Sequence, residues 1–351
     1  MATIKDVARL AGVSTATVSA VVNDTAYVSP ALRKKVLSAI AELRYAPSLV
    51  ARSLKRGRSQ LIALVVADLA NPFFAKIVCT AEAAVAAWGY SLVVFNSDEK
   101  PDNERRILAR IRMLSCDGIL LVPVGGSVES SRELAGMTIP TVLFGRSMEG
   151  VDFDTVTIDN RSAARRVTDY LLDLGHRSIG TITGPLHLTT GRGRLDGMME
   201  AMDARGLAPA PEFVRSGEFR EDVAYSIARE ILVRPDRPTA LYIANGVMAL
   251  GVMRALADLG LKCPDDISVA STDTIPGISG LRPRLTRTEH PASDMTNEAV
   301  RLLVDRIDRA VDLPARNIVF QPELVVGDSC GPVSGRTLAK RDPERRGVRP
   351  A

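Results

Sequence analysis

The residues best suited to hold a small polar molecule stand at the ends of apolar runs in the body of the 351-residue chain. Carboxylate, amide and guanidinium groups can fix the hydroxyl groups of a ligand, and an aromatic ring offers a face for stacking. Polar residues at strand ends also cap the helices that follow, so both interpretations stay open at this point. The residues are Asp68, Ser97, Val124, Arg146, Gly184, Phe219, Asn245 and Asp273.

Parallel sheets would bring these residues together. Apolar runs such as LIALVVAD, DGILLVPV and ISVASTD alternate with amphipathic stretches at 102–115, 161–175, 191–206 and 247–260. This alternation is typical of parallel sheets covered by helices, and so many strands favour two similar halves divided near residue 160. Ligands bind at the carboxyl ends of parallel strands. A long helix over 293–312 is expected to return the chain to the first half.

No catalytic motif accompanies these residues. The chain has no GxxxxGK[ST] loop, no GxSxG turn and no HExxH pair, and its three histidines lack metal-ligand spacing. The four cysteines are dispersed, which argues against a zinc site and a disulfide framework. We therefore expect no enzymatic activity, no cofactor and no metal.

Charge is distributed unevenly along the chain. Residues 1–60 hold ten Lys and Arg against three Asp and Glu, whereas residues 61–330 hold 29 against 36. A basic head is typical of nucleic-acid binding, although a solvated basic face gives the same count. No apolar run is long enough to span a membrane and no export signal is visible. We therefore expect a cytoplasmic protein with no membrane partner.

The basic head begins with TIKDVARLAGVSTATVSAVVN, residues 3–23. Thr3 and Ser14 can each cap a short helix, and Gly12 permits a tight turn between the two helices. A third helix, with Leu32 among its inward residues, would complete a helix-turn-helix bundle. A helical cap on a larger enzyme is the alternative.

A basic segment, YAPSLVARSLKRGRS at residues 45–59, follows the bundle. Ser48 can cap a short helix that ends at Gly57 and carries Leu54 among arginines and a lysine. A lone apolar side chain on a basic helix favours a wedge between base steps of the DNA minor groove, with the cations on phosphates. A basic linker whose leucine packs into the bundle is the alternative.

Together, ATIKDVARLAGVSTATVSAVVN and YAPSLVARSLKRGRS resemble the headpiece and hinge helix of the lactose/galactose-repressor family of bacterial transcription regulators, with similarity to about residue 328. The resemblance implies an all-α helix-turn-helix headpiece and an α/β body like that of periplasmic binding proteins, with two parallel-sheet subdomains. The implied boundaries are 1–46 for the headpiece, 47–60 for the hinge helix and linker, about 61–160 plus 291–322 for one subdomain, and about 161–290 plus 323–330 for the other. The Gly-, Pro- and Arg-rich residues 331–351 are expected to be a disordered tail without the apolar heptads of a tetramerisation helix.

The family places its second helix in the major groove. The resemblance therefore makes Leu54 the minor-groove wedge and points the second helix at bases. Ala20 stands where a larger polar residue is common in the family, so we expect more methyl contact and fewer hydrogen bonds at that base pair. The implied DNA-binding residues are Thr15, Ala16, Thr17, Ala20, Asn23, Ser48, Ala51, Leu54 and Lys55.

The resemblance also assigns effector-binding segments, which include DLANPFFAKIV, GRGRLDG, GEF, ANGVMALG and STDT. The implied effector-binding residues are Asn71, Phe73, Phe74, Arg146, Thr190, Arg194, Phe219, Asn245 and Asp273.

The chain departs from the family at two of these segments. Gly145 and Gly246 stand where many relatives carry Asp, while Arg146 and Arg194 are kept. Because arginine presents a rigid fork suited to carboxylate or phosphate, our hypothesis is an anionic effector, a sugar acid or sugar phosphate. A bulkier neutral ligand, which would use the space freed by the two glycines, is the rival. A purine is disfavoured because Leu188 stands where a purine-sensing relative would carry arginine.

These expectations combine into a regulator of transcription. A homodimer, with FFAKIVCTAEAAVAAWGY and GVMALGVMRALADLGL as candidate interface helices, would bind a palindromic operator. By family precedent it is a repressor whose effector changes the angle between the halves of the body and so the folding of the hinge helices; induction and corepression are both open. The alternatives are a nucleobase-responsive member of the family and a stand-alone sugar-binding protein, which the basic head disfavours.

Overall fold

The computed structural model describes residues 2–45, 58–125, 134, 136–273, 282–309 and 314–333. The chain forms two compact units, Met1–Gln60 and Leu61–Ala351. Within the described residues, no helix is both long and apolar enough to cross a membrane.

The first unit contains three helices, α1 (Ile4–Ala11), α2 (Thr15–Asn23) and α3 (Pro30–Glu42), in its described part. Thr3 and Asp6 form a reciprocal capping box at the start of α1, and Gly12 ends α1 with a left-handed φ of 65°. Such a φ is inexpensive only for glycine, so the sharp corner before α2 depends on it.

The small core of this unit takes one or more valines from each helix. Val7, Val18 and Val36 are fully buried at its centre. The expectation that Leu32 points inward is wrong, because its side chain is 38% exposed. Leu32 lies in the first turn of α3, at the edge of a core that buries α3 only from Val36 onward.

The second unit alternates strands and helices. Its strands are β1 (Leu61–Val66), β2 (Ser91–Asn96), β3 (Gly118–Leu121), β4 (Thr141–Phe144), β5 (Asp154–Ile158), β6 (Ile179–Thr183), β7 (Val214–Ser216), β8 (Ala240–Ile243), β9 (Ser268–Thr272), β10 (Thr286–Glu289), β11 (Asn317–Phe320) and β12 (Glu323–Val325). Its helices are α4 (Pro72–Ala87), α5 (Pro101–Met113), α6 (Asn160–Asp173), α7 (Thr189–Asp203), α8 (Glu221–Leu232), α9 (Gly246–Asp258) and α10 (Ala292–Arg309).

These strands form two six-stranded sheets in the described part of the chain, ordered β11-β5-β4-β3-β1-β2 and β12-β10-β9-β8-β6-β7. All pairs are parallel except β10 with β12, which is antiparallel. The two orders correspond strand for strand. We call the first sheet with its helices the first half and the second sheet with its helices the second half. The predicted fold class is confirmed.

The chain passes between the halves after β5, after β10 and between β11 and β12. Each sheet is covered on both faces by apolar clusters, and α10 returns to pack on the first half with Leu302 and Leu303 fully buried. The helices predicted from the sequence extend about two residues too far at their carboxyl ends, because the predicted ranges included the residues that terminate each helix. Gly175, Gly206 and Gly260 lie beyond the helices with left-handed φ values of 92°, 65° and 65°.

Candidate functional site

All nine predicted effector-binding residues lie on the wall of one cavity, at the carboxyl ends of strands from both halves. The space, including its open mouth, is about 850 Å³. The nine are Asn71, Phe73, Phe74, Arg146, Thr190, Arg194, Phe219, Asn245 and Asp273. The wall also includes residues that the motifs did not indicate, among them Asp98, Glu99, Glu218, Arg220 and His290.

Two asparagines on this wall also begin helices. Asn71 Oδ1 accepts a hydrogen bond from Phe73 N at 3.0 Å at the start of α4. Asn245 Oδ1 accepts from Met248 N at 2.9 Å at the start of α9. Neither Nδ2 has a hydrogen-bond partner among the described residues, so each side chain can cap its helix and still donate to a ligand.

Arg194 is 6% exposed and is held at two points. Its Nε donates to Asn160 Oδ1 at 2.8 Å and its Nη1 to Ala244 O at 2.5 Å. Burial lowers the pKa of Arg194, yet a guanidinium stays protonated in proteins. Since Asn160 belongs to the first crossing segment, Arg194 connects the cavity to a segment that joins the two halves. Its Nη2 has no partner among the described residues.

Arg146 is already paired within the protein. Its Nη2 donates to Glu99 Oε1 at 2.6 Å and its Nη1 to Glu99 Oε2 at 2.8 Å, while Nη1 also reaches Pro123 O at 3.0 Å. The carboxylate therefore occupies the guanidinium fork in the two-point geometry expected for an anionic ligand. The hypothesis of an anionic effector assumed two available arginines, and this premise is wrong for Arg146.

The ring of Phe219 lies between the two arginines. The guanidinium carbons of Arg146 and Arg194 are each 5.9 Å from its centroid. The ring passes directly over Gly184, where a Cβ would come within 2.1 Å of a ring carbon. Gly184 is therefore needed for the ring to lie flat on the end of β6 and offer a stacking surface.

His290 is buried on the same wall, beside Asp273 and Phe73. Its Nδ1 is 3.8 Å from Asp273 Oδ1, and its ring meets the Phe73 ring edge-on at 6.1 Å. Burial lowers the pKa of His290 to about 4, so the imidazole is neutral at pH 7. Two buried atoms of this wall, His290 Nε2 and Thr190 Oγ1, have no hydrogen-bond partner among the described residues.

Buried polar atoms without partners are costly unless something binds them. The unpartnered atom of His290 is a neutral imidazole nitrogen, and that of Thr190 is a hydroxyl oxygen. Both suit a hydroxylated, uncharged ligand, because each can donate or accept a hydrogen bond.

Five residues of the wall hold a left-handed backbone conformation. The φ values are 55° for Asp98, 52° for Glu99, 53° for Glu218, 56° for Phe219 and 76° for Asp273. Such a conformation costs a non-glycine residue roughly 1–2 kcal/mol. Strain of this kind concentrates at functional sites, where it fixes the direction of a side chain.

One further carboxyl group, that of Glu104, interacts electrostatically with Arg146. Glu104, which is 5% exposed, accepts a hydrogen bond from Val124 N at 2.8 Å through its Oε2. Burial raises the pKa of Glu104 to about 7, against the opposing effects of this hydrogen bond and of Arg146. The described wall itself carries five carboxylates and three guanidinium groups. Its negative excess disfavours an anionic ligand.

Sequence reasoning missed Glu99 and His290. The rule that selected polar residues at strand ends would have found His290, which directly follows β10. Glu99 lies three residues beyond β2, where the rule had chosen Ser97, a fully buried residue whose hydroxyl donates to Val66 O. No local signal indicates that Glu99 faces an arginine 47 residues away.

The predicted DNA-binding residues of the headpiece lie on α2. Thr15 and Ala16 are exposed, while Thr17, Ala20 and Asn23 are half-buried. The Asn23 amide donates to Ser19 O at 2.9 Å and to Ser19 Oγ at 3.3 Å, so it is already engaged within α2. The remaining predicted contacts, Ser48, Ala51, Leu54 and Lys55, lie outside the described residues, as does the predicted hinge helix.

Known protein families match both units of the chain. The bacterial regulatory proteins of the lacI family match residues 3–48, and the periplasmic binding protein-like domain matches residues 168–330. Among individual relatives, a ribose operon repressor from Escherichia coli (strain K12) is 38% identical over 88% of this chain and 93% of its own length. An HTH-type transcriptional repressor PurR from Pasteurella multocida (strain Pm70) is 37% identical over 94% of this chain and 98% of its own.

Solved structures match almost the whole chain. A complex of the transcriptional regulator CelR with cellobiose is 32% identical and covers 94% of this chain and 100% of its own, with a TM-score of 0.71. A lac repressor dimer bound to operator and the anti-inducer ONPF is 26% identical and covers 94% of this chain and 99% of its own, with a TM-score of 0.83.

Proposed function

Because the chain belongs to the lacI family of bacterial regulatory proteins, we propose that it is a cytoplasmic repressor that binds palindromic operator DNA as a homodimer and is controlled by a small neutral sugar. It is a regulator of transcription and not an enzyme. The DNA part of the proposal is supported by the capped helix α2, which exposes Thr15 and Ala16, and by the operator-bound dimer among the structural relatives. Trp88, 55% exposed just after α4, is an apolar contact available to the dimer interface.

The proposal of a neutral effector rests on one observation, the two-point ion pair of Arg146 with Glu99. With that fork occupied, the cavity presents the ring of Phe219, the amide donors of Asn71 and Asn245, and the carboxylate of Asp273. A ring to stack on and polar groups around it are what a neutral sugar requires. Two relatives support this class, since one is named for ribose and another was solved with cellobiose.

A nucleobase is the second candidate, because several relatives are PurR repressors. Leu188 argues against it in this chain. Its side chain is 2% exposed and lies against Gly125, so it offers no hydrogen bond to a base.

We further propose that the effector acts by changing the angle between the two halves and, through it, the folding of residues 48–56 on DNA. Arg194 is suited to this role since it contacts both the cavity and Asn160 of the first crossing segment. Such coupling is reciprocal and typically amounts to about 1–3 kcal/mol. Its sign decides between induction and corepression.

The effector is tested by thermal unfolding of the full chain with neutral sugars, sugar acids, sugar phosphates and nucleobases. A ligand at about a thousand times its dissociation constant adds about 4 kcal/mol to the stability of the bound form. We expect a neutral sugar to raise Tm, the Phe219→Leu variant to lose that rise, and the control Tyr225→Phe, outside the cavity wall, to keep it. A rise with nucleobases alone would refute the sugar.

The proposal that α2 contacts the bases of the operator is tested with substitutions at a matched pair of alanines. Ala16 on α2 and Ala41 on α3 are both exposed. A carboxylate in the groove repels phosphates, so Ala16→Glu should abolish binding to an operator selected from random duplexes, while Ala41→Glu should weaken it far less. Equal losses would show that the protein does not read DNA with α2.

A further inference from the structure

We infer that Glu99 is a specificity-determining residue that excludes anionic ligands by occupying the fork of Arg146. This inference rests on the proposed effector site and deepens it, because it names the residue that restricts the site to neutral ligands. The class of ligand that Glu99 excludes is a sugar acid or a sugar phosphate.

The ion pair uses both terminal nitrogens of Arg146. Nη1 and Nη2 each donate to a separate oxygen of Glu99, at 2.8 and 2.6 Å, and Nη1 shares a further contact with Pro123 O. A carboxylate or phosphate of a ligand would need the same two donors in the same plane. The protein's own carboxylate therefore competes directly with an anionic ligand for that position.

Exposure within the pair is unequal. The Arg146 side chain is 7% exposed, whereas that of Glu99 is 27% exposed. An approaching ligand thus meets the carboxylate before the guanidinium. An anion would be repelled by Glu99 before it could reach Arg146, while a neutral hydroxyl group could donate to the same carboxylate.

The backbone holds Glu99 in place. Asp98 and Glu99 are consecutive residues with left-handed φ values of 55° and 52° in the turn between β2 and α5. Glu99 N donates to Ala67 O at 2.9 Å, which ties this turn to the end of β1. The strained turn therefore directs the Glu99 carboxylate at Arg146, which follows a different strand.

The neighbouring acids do not substitute for Glu99. Asp98 is bound by the Lys100 ammonium at 2.6 Å. Glu104 is buried, and its carboxyl group accepts a hydrogen bond from Val124 N. When Glu99 is neutralised, the Arg146 fork should therefore become available to a ligand from the cavity.

The test compares Glu99→Gln with Glu218→Gln. Glu218 is a second carboxylate of the wall, also left-handed, but it accepts from the Ser216 hydroxyl at 2.6 Å and pairs with no arginine among the described residues. Both changes remove one negative charge from the cavity, and only the first frees Arg146. The first readout is the shift in Tm caused by inorganic phosphate. The second is the affinity, measured by calorimetric titration, for a neutral sugar and its acidic partner: D-ribose with D-ribose 5-phosphate, or D-glucose with D-glucuronate.

We expect phosphate to stabilise Glu99→Gln clearly more than the wild type or Glu218→Gln. The preference for the acidic over the neutral member of a sugar pair should rise about tenfold or more in Glu99→Gln, which corresponds to one charge-assisted contact. Glu99→Asp should behave like the wild type. The double variant Glu99→Gln/Arg146→Gln, which removes the guanidinium that Glu99 covers, should fold and should not gain phosphate binding.

Equal gains in Glu99→Gln and Glu218→Gln would overturn the inference, because a general change of charge would then explain them. No gain in either variant would overturn it as well, as would a wild type that already prefers the acidic sugars. The phosphate readout does not depend on which sugar is the effector. A wild type that ignores every neutral sugar therefore contradicts the proposed function, while phosphate binding still decides the role of Glu99.

Discussion

The two halves of the body share one strand order but carry different chemistry at equivalent strand ends. β2 and β7 are the corresponding edge strands, and each is followed by two consecutive left-handed residues, Asp98–Glu99 in the first half and Glu218–Phe219 in the second. The first pair directs a carboxylate at an arginine, and the second directs an aromatic ring over Gly184. The backbone thus fixes where a side chain enters the cavity, and the side chain decides what it recognises.

The same contrast holds for the segments that complete each sheet. β11 runs parallel to β5, and Asp154 of β5 is clamped there by Arg306 and Arg316 at 2.8 and 2.7 Å. β12 runs antiparallel to β10, and the buried contact after it is uncharged, whereas the Arg284–Asp328 ion pair beside it is exposed. Ser329 Oγ donates to Val269 O at 2.5 Å and accepts from Thr286 N at 2.9 Å.

The largest predicted difference between the halves concerns these two clamps. Asp154→Asn should lower the free energy of unfolding in urea by about 3–5 kcal/mol, since it leaves two arginines without their buried partner. Ser329→Ala should lower it by about 1–3 kcal/mol, the cost of unsatisfied neutral groups. The control Asp305→Asn should cost less than Asp154→Asn, because Asp305 is 25% exposed. Similar losses for Asp154→Asn and Ser329→Ala would contradict the distinction.

The ionic clamp should also respond to acid. Burial alone would raise the pKa of Asp154, but hydrogen bonds from Arg306 and Arg316 outweigh burial and lower it to about 2. A lowered pKa stabilises the fold above the ordinary value of 3.8 and loses that contribution as pH falls towards 2. The deficit of Asp154→Asn relative to the wild type should therefore shrink over that range, whereas the deficit of Ser329→Ala should not.

Glu104 in the first half and His290 in the second half are both buried. Between pH 4.5 and 6.5, their contributions to the pH dependence of the free energy of unfolding are predicted to have opposite signs. The pKa of Glu104 is raised from 4.5 to about 7, so its contribution to stability falls as pH rises through this window. The pKa of His290 is lowered from 6.5 to about 4, so its contribution rises with pH. In the wild type the two slopes largely cancel.

Single variants should expose each slope. Of the two groups only His290 still titrates in Glu104→Gln, so its contribution to the free energy of unfolding should increase by about 2 kcal/mol from pH 4.5 to 6.5. In His290→Asn the contribution of Glu104 should decrease by a similar amount. Denaturant titrations at several pH values provide the measurement, and the difference between the two variants removes contributions from groups common to both. Parallel slopes in the two variants would show that the groups do not oppose each other.

A smaller effect is predicted for two glycines, one in each half. At Gly184 an added Cβ would meet the Phe219 ring, so Gly184→Ala should weaken sugar binding about tenfold by displacing the stacking surface. At Gly145 a Cβ would meet nothing within 4 Å, but φ is 71°. Gly145→Ala should therefore cost about 1–2 kcal/mol of stability with a smaller change in binding. The reverse pattern would show that the ring of Phe219 does not contact the effector.

Much of the fold and part of the site could be predicted from the sequence. Apolar alternation and cap residues are local signals, and they located the helices to within a few residues at each end. The motif segments indicated side chains that the structure gathers on one wall. Glu99 could not be found this way because its role depends on two successive left-handed residues and on an arginine brought to it by the sheet. Without that partner in view, Arg146 was interpreted as free.

The smallest predicted effects decide whether the strand-end asparagines are caps, ligand donors or both. Replacing either Asn71 or Asn245 by Ala should cost about 1 kcal/mol of stability, because each oxygen caps a helix. Asn→Asp keeps that oxygen and removes the Nδ2 donors, so stability should stay within about 0.5 kcal/mol of the wild type while sugar affinity falls. Calorimetry on both Asp variants compares the halves directly. A loss of affinity in only one of them would assign hydrogen-bond donation to that half, and unchanged affinity in both would leave the two asparagines as helix caps.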